Sequence, residues 1–526
     1  MGFINKTWER VIALTAAGAL AMVAGCTSTD STDSNSSSSS GEVDTSAVLK
    51  FASAGPLRDL DPALQTSYGA WGYLFLVWDR LTMLDKDDKV VPGLAKEWNF
   101  VENGSALELK LRDDVKFHDG TPFDAEAVKA NIERGKTLQG STLKGDLADI
   151  ETVEVVNATT VRLKLVKGKG VQLPASFTGT AGMMVSPKAI KDGVDIKNKP
   201  GTAGSGPYIA TELVPQEKLV LKRADSYWDP NVGRLGGIEL QRVPDAAARL
   251  NGLQSGQIDL APLSSATEIA TVQKIVTPGS GLQKHEVKFK NLVGVYLRAN
   301  KGDVSKLEVR QAIAHAVDPA AISALFSGTC TPTRQLVPET DPSRVPNYTY
   351  PFEFSVDKAK ALVQQAGGAK VTVTFAAGTN AEQPANVVQA SLRAVGIDAT
   401  LNPVPNTENE PRFIAGDFEL MVGTSWSPKA DPAATVNTYL LNTYKLAANP
   451  SLIEAKAAEA ADPMLPMDKR APLYQDIWKT TLDQVWFLPL CNQTNANVAK
   501  TNVVGIDNIP MSNIGIWDLR NIAVKK

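Results

Sequence analysis

The side chains that most often carry catalysis are sparse in this chain. Its 526 residues hold three histidines, His118, His285 and His315, and three cysteines, Cys26, Cys330 and Cys491. No two histidines stand at metal-binding spacing, and no cysteine pair has zinc or redox CxxC spacing. A GxSxG elbow, an HExxH helix and a phosphate-binding P-loop are all missing from the sequence. His118-Asp119 falls in a turn, where a histidine is usually solvated or bonded to backbone. His315 reads as a packing histidine on an apolar helix. Arg334 can grip a carboxylate through two parallel N–H bonds, or it can simply be a surface arginine. These residues favour binding over catalysis and call for no cofactor.

The elements that must position them follow from periodicity and punctuation. Val48–Ser53 alternates as a first strand. Leu107, Leu109 and Leu111 alternate in another, and Asp124 caps the helix that follows. Val153–Val156 and Thr160–Leu165 read as a hairpin. The stretch Gly204–Trp228, GSGPYIATELVPQEKLVLKRADSYW, reads as a glycine turn feeding a second hairpin that reverses at Pro215-Gln216. Asp245–Gly256 is a helix and Gln257–Leu260 a strand. Asp318 caps a helix that Pro319 opens. Lys370–Phe375, Ala381–Val395 and Ile397–Leu401 spell strand, helix, strand, a parallel unit. Phe418–Val422 and Val485–Leu490 complete the strands.

Composition bounds the partners. The chain is 43% hydrophobic and 21% charged, with a net charge of −3. It carries no basic footprint for nucleic acid. Lys6 and Arg10 precede an apolar run, Val11–Gly25, too short to span a bilayer and fit to be a targeting signal. The run ends Val23-Ala24-Gly25-Cys26, which resembles a bacterial lipobox. That resemblance implies removal of residues 1–25 and lipidation of Cys26, anchoring the protein to the cell membrane on its extracytoplasmic face. Residues 26–46 then form the lipidated cysteine and a Ser-rich linker. A flexible coil of that length reaches roughly 25 Å.

Several strings, in order, resemble the family 5 extracellular solute-binding proteins, receptors of peptide, nickel and related ABC importers. They are Leu60-Asp61-Pro62, FHDGTPF at 117–123, Gly204–Trp228, Leu253–Asp259 and VRQAIAHAVDP at 309–319. Two positions depart from the family pattern: Ala127 stands for its aspartate and Ala224 for its asparagine. The resemblance covers residues 47–526. It implies an α/β fold: two lobes of the type II periplasmic-binding-protein kind, large peptide-binding class, with an inserted domain and hinge strands. The implied first lobe is 47–80, 183–288 and 495–526, the insert 81–182, and the second lobe 289–494. A helical run reaching the Val77–Leu84 step is implied too, with Tyr68 and Trp71 on the loop before it, facing the cleft.

The same resemblance supplies the remaining site expectations. Trp426, after the strand at 418–422, either floors the ligand pocket or packs in the core. Peptide binders place an amino-group anchor some three residues after this tryptophan. Here that position is Lys429, which repels ammonium, so either Asp431 takes the role or the ligand has no amino terminus there. Asn492 is expected at the hinge. Cys330 and Cys491 lie near the lobe junction and are the pair left once Cys26 is lipidated, so a disulfide is expected. A monomer, working with permease subunits on a peptide or other small solute, completes the expectation. An oligosaccharide ligand and a signalling or adhesive role are the alternatives.

Overall fold

The computed structural model describes residues 42–65, 70–263, 266–509 and 518–526. Cys26 and Tyr68 lie outside the described residues. One sheet of eleven strands organises them. It begins with the parallel unit Asp398–Val404, Lys370–Ala376 and Leu420–Trp426. It continues through Leu282–Leu297 and Phe487–Lys500 to Leu260–Leu263, Val48–Ser53, Gly237–Arg242 and the hairpin Lys218–Arg223 and Tyr208–Val214. Cys330–Pro332 pairs on the side with Phe487–Lys500.

Two strands make this sheet continuous. Leu282–Leu297 has 16 residues and Phe487–Lys500 has 14, each longer than the five or six usual for a strand. They pair antiparallel from Leu282↔Lys500 to Tyr296↔Phe487, with a slip between Lys288 and Leu292. One end of each strand lies in each half of the molecule. The strand expected at 485–490 covers only the first residues of Phe487–Lys500, because the apolar pattern fades where the residues between the halves are polar. Asn492 to Asn495 are each half-buried.

The apolar core divides into four clusters. Residues 292–491 build the largest, around Tyr296, Trp426, Trp478 and Trp486. Leu49, Trp78, Tyr208 and Leu519 belong to a second. A separate four-stranded sheet, Ala95–Val101, Ala106–Leu111, Thr160–Leu165 and Ile150–Asn157, carries a third with the helix Ala125–Thr137. Leu250, Ile258 and Val272 belong to the fourth.

Around Trp71 the expected loop is a helix. Trp71–Val77 is helical, Trp78 ends it, and Thr82–Leu84 is a strand. The apolar residues of 71–78 turn inward, with Trp78 Nε1 donating to the Leu60 carbonyl at 2.9 Å.

This helix explains the glycines of Gly204–Trp228. Neither Gly204 nor Gly206 has positive φ. A Cβ on Gly204 would lie 2.3 Å from the Val77 oxygen, and one on Gly206 2.7 Å from the Leu76 oxygen. Close approach, not unusual backbone angle, requires glycine here. His118 docks on the same turn, its Nε2 2.8 Å from the Gly206 carbonyl, and Asp119 accepts from Ser186 Oγ at 2.5 Å.

The hairpin ends in a buried polar knot. Tyr227 Oη donates to Asp79 Oδ1 at 2.7 Å and Trp228 Nε1 to Asp79 Oδ2 at 2.9 Å. Arg80 donates to Asp518 Oδ2 at 3.0 Å, and Arg520 binds both oxygens of the same carboxylate at 2.8 and 2.7 Å. Burial raises the Asp518 carboxyl, but the Arg520 and Arg80 charges outweigh it and bring it down to about 2. A carboxylate held below its unfolded value contributes stability that is present above the unfolded pKa, about 3.9, and lost as pH falls through the folded one. Asp518→Asn strands two buried guanidinium groups and should cost about 3–5 kcal/mol at pH 7. Urea titrations at pH 7 and pH 3 check this: the gap between wild type and variant should narrow at pH 3, where the unfolded carboxyl takes up a proton that the folded one still refuses, so part of the stabilisation is lost.

Candidate ligand cleft

The four-stranded domain leans on the cluster of residues 292–491 at several points. Gly104, in a hairpin turn, abuts Pro463, so close that a Cβ would lie 2.7 Å from its Cγ. Val171 joins the larger cluster. Asp88, in the turn between Thr82–Leu84 and Val90–Pro92, meets Lys290 of the crossing strand, Oδ2 to Nζ 3.1 Å. Between these contacts lies a cavity of about 510 Å3. Trp98, Phe100 and Pro174 line one wall; Thr340, Asp341, Asp431, Met467 and Arg470 line the other.

Of the residues singled out in the sequence, Asp431 reaches this cavity. Its carboxylate caps the short helix Pro432–Thr435, accepting from Ala433 N at 2.8 Å, and takes Arg470 Nη2 at 2.8 and 3.0 Å. Arg470 is held in turn by the Ala460 carbonyl at 2.7 Å. An amino group seeking Asp431 must compete with a guanidinium already in place. Lys429 is half-buried, its backbone N–H tied to Thr435 Oγ1 at 2.8 Å, and its charge reaches Asp146 of the opposite domain.

Trp426 sits elsewhere. The strand expected to end at Val422 runs on to Trp426, which pairs with Leu292. Its indole has no exposed surface and stacks between Tyr439 and Phe487, with centroids 4.2 and 4.3 Å away. Nε1 donates to the Leu336 carbonyl at 3.0 Å. The structure places this side chain in the core, because strand pairing four residues past the expected end turns it inward. Arg334 is likewise committed to structure: it donates to the carbonyls of Pro489 at 3.0 Å and Val317 at 3.3 Å and lies over the Tyr350 ring. Trp71, half-buried at the start of its helix, rests on Gly179. Asn492 lies in the crossing strand, donating to the Asn291 carbonyl at 3.2 Å. Cys330 and Cys491 are bonded, with Cα atoms 5.4 Å apart, and fasten Cys330–Pro332 to the crossing strand.

Sequence reasoning missed Asp88, Lys290, Asp341 and Arg470. Asp88 belongs to the string DKDDK at 85–89, which reads as a solvated turn. Its one local oddity is a left-handed backbone, φ 64°, a conformation that aspartate tolerates better than most residues. Partners 200 residues distant, such as Lys290, leave no trace in a local pattern.

Two α/β lobes sharing a sheet through long crossing strands, with an added domain and a cavity between, define a two-lobed binding protein of the type II periplasmic class. The family model described as bacterial extracellular solute-binding proteins, family 5 Middle, matches residues 89–446, and the chain belongs to that family. It is therefore an extracytoplasmic solute-binding protein and not an enzyme. The nickel-binding periplasmic protein of Escherichia coli strain K12 is 24% identical over 478 residues, 83% of this chain and 87% of that one. The glutathione-binding protein GsiB of the same strain is 28% identical over 330 residues, 60% of this chain and 61% of its own. Among solved structures, NikA of Brucella suis in complex with Fe(III)-EDTA superposes with a TM-score of 0.78 at 26% identity, covering 91% of this chain and 100% of that one.

Replacing Trp426 with alanine should cost about 3–5 kcal/mol, the loss expected for a large buried aromatic; equilibrium unfolding in urea measures it. Peptide mapping without reduction should recover Cys330 and Cys491 in one disulfide-linked fragment pair.

Proposed function

We propose that this protein is the lipid-anchored receptor of a bacterial ABC importer, taking a peptide-like solute between its lobes and handing it to membrane permease subunits. The observation that carries the reading is the cavity bounded by both sides of the cleft, beside the strands that join them. A solute that touches both walls favours the closed arrangement by the difference of its affinities for closed and open forms, and by no more. Acylation of Cys26 keeps the receptor near its permease and raises the effective concentration of the complex. Among the described residues no helix is long and apolar enough to cross a membrane. The lobe boundaries set out from the sequence are part of the same proposal, supported by apolar clusters that divide close to them.

A second reading keeps the receptor and changes the solute to a non-peptide compound. It is favoured by Lys429, and by the Asp431–Arg470 pair that occupies the carboxylate nearest the family's anchor position. A thermal-shift screen with peptides of mixed length, oligosaccharides and metal chelates separates the two. A true solute at a hundred times its Kd adds about 2.7 kcal/mol of stability. Peptides are expected to raise the midpoint; a shift with a sugar or chelate alone would replace peptide as the solute. Cys26→Ala should abolish palmitate labelling and release the protein from the membrane fraction; retained labelling would sink the anchor.

A further inference from the structure

The charges around the cavity do not balance among themselves. Asp431 and Arg470 satisfy each other. Asp341 accepts from Ser343 N at 2.8 Å and Ser343 Oγ at 2.6 Å, both neutral donors. Asp88 faces Lys290 alone: the two side chains are 5% and 6% exposed, and among the described residues neither Asp88 Oδ1 nor Oδ2 has a hydrogen-bond partner, Lys290 being an ion-pair neighbour of Oδ2. Two carboxylates therefore share one ammonium. A buried carboxylate oxygen without a donor has given up its hydration for nothing, and proteins seldom keep one unless something fills the place. The volume exceeds what a lone bridging water occupies, about 30 Å3. Trp98 and Phe100, alternate residues of one strand, present aromatic surface to the same space, and an aromatic face attracts a cation.

We propose that this cavity receives a cationic group, a primary ammonium or a guanidinium, with Asp88 and Asp341 as its counter-charges and Trp98 and Phe100 as its walls. The inference rests on the receptor reading above and names the chemical class of solute that the receptor selects. The cation supplies Asp88 Oδ1 with the donor it lacks and neutralises the surplus charge. Asp88 stands on one side of the cleft and Asp341 on the other, so a group bound by both draws the sides together. Lys290 tunes the site: it holds half of the Asp88 carboxylate and competes with the incoming cation. The exposed Asp87 and Lys89 at the rim are solvated and opposite in sign.

Burial pushes the Asp88 carboxyl up to about 6, against the opposing pull of Lys290 and with Asp85 and Asp87 of its own turn adding to the rise. Asp341 is also raised, again by burial, with Asp431 adding to it and Lys290 opposing. The site must shed protons to take a cation, so binding should strengthen as pH rises through 6.

Titration calorimetry of the whole protein with agmatine and, as the neutral control, 1-butanol tests this. Agmatine should saturate a single site, weaken at least tenfold in Asp88→Asn and in Asp341→Asn, and weaken at pH 5 relative to pH 7.5. Lys290→Met should tighten it, an opposite sign that general loosening of the fold does not produce. Equal binding of agmatine and butanol, or agmatine affinity indifferent to all three substitutions, would overturn the inference. The parent reading fails separately. If a neutral solute from the thermal-shift screen binds wild type and Asp88→Asn alike, the receptor stands and the cation site falls. If no solute binds while agmatine does, the cavity stands and the importer role falls.

Discussion

The structure depends first on Asp79 and Arg80. They follow directly on the helix Trp71–Val77 and stand where the chain leaves one apolar cluster for the next. Asp79 is clamped by Tyr227 and Trp228, and Arg80 by Asp518, 438 residues away. Burial pushes the Asp79 carboxyl up, and the two ring donors work against that rise. A knot of this kind adds little net stability over apolar packing, because each charge has surrendered its water. Its consequence is geometric. Three chain segments meet at one point in one arrangement, since any other leaves a buried charge unpaired. The path of the four-stranded domain out from the sheet, and so its approach to the far wall of the cleft, is set there.

The crossing strands impose the second constraint. A backbone passing between two halves must keep its N–H and C=O groups paired or wet. Leu282–Leu297 and Phe487–Lys500 do both: they pair over most of their length, then slip between Lys288 and Leu292, where Asn492–Asn495 are half-exposed. The disulfide and the Arg334 bonds to Pro489 and Val317 stiffen the part of Phe487–Lys500 that lies in the larger cluster. The pairing is irregular between Lys288 and Leu292, the stretch that holds Lys290, and again between Val293 and Gly294.

The family and fold were legible because they are written in local strings. Turn glycines, capped helices and the parallel unit at 370–404 each follow from short-range rules. The Gly204–Trp228 stretch was recognisable for a reason that its own residues do not reveal: its glycines make room for Val77 and its Tyr-Trp pair holds Asp79. The site was far less legible. Trp426 stayed open between pocket and core, because local pattern cannot tell where a buried strand stops, and this one runs four residues past its expected end. Asp431 looked available because Arg470 lies 39 residues on and no pattern couples them. Asp88 drew no attention, since four charged neighbours give its string the look of any solvated turn. The cavity is lined by pairs distant in sequence, Asp88 with Lys290 and Asp431 with Arg470, and a single sequence carries no sign of such pairs.

That division has a physical origin. A scaffold residue is judged by its neighbours in the chain, so its chemistry repeats as motif. A cleft residue is judged by what faces it when the halves meet. Asp88 and Lys290 illustrate the difference. Both are buried, and in exchange for hydration they have one ion-pair contact of 3.1 Å, with neither Asp88 oxygen meeting a hydrogen-bond donor. In the proposed site, the groups that burial leaves incompletely paired are the same groups that a ligand would complete. A receptor built so closes on its solute with a smaller intrinsic bias than apolar walls alone would require, because the empty closed form carries its own desolvation cost.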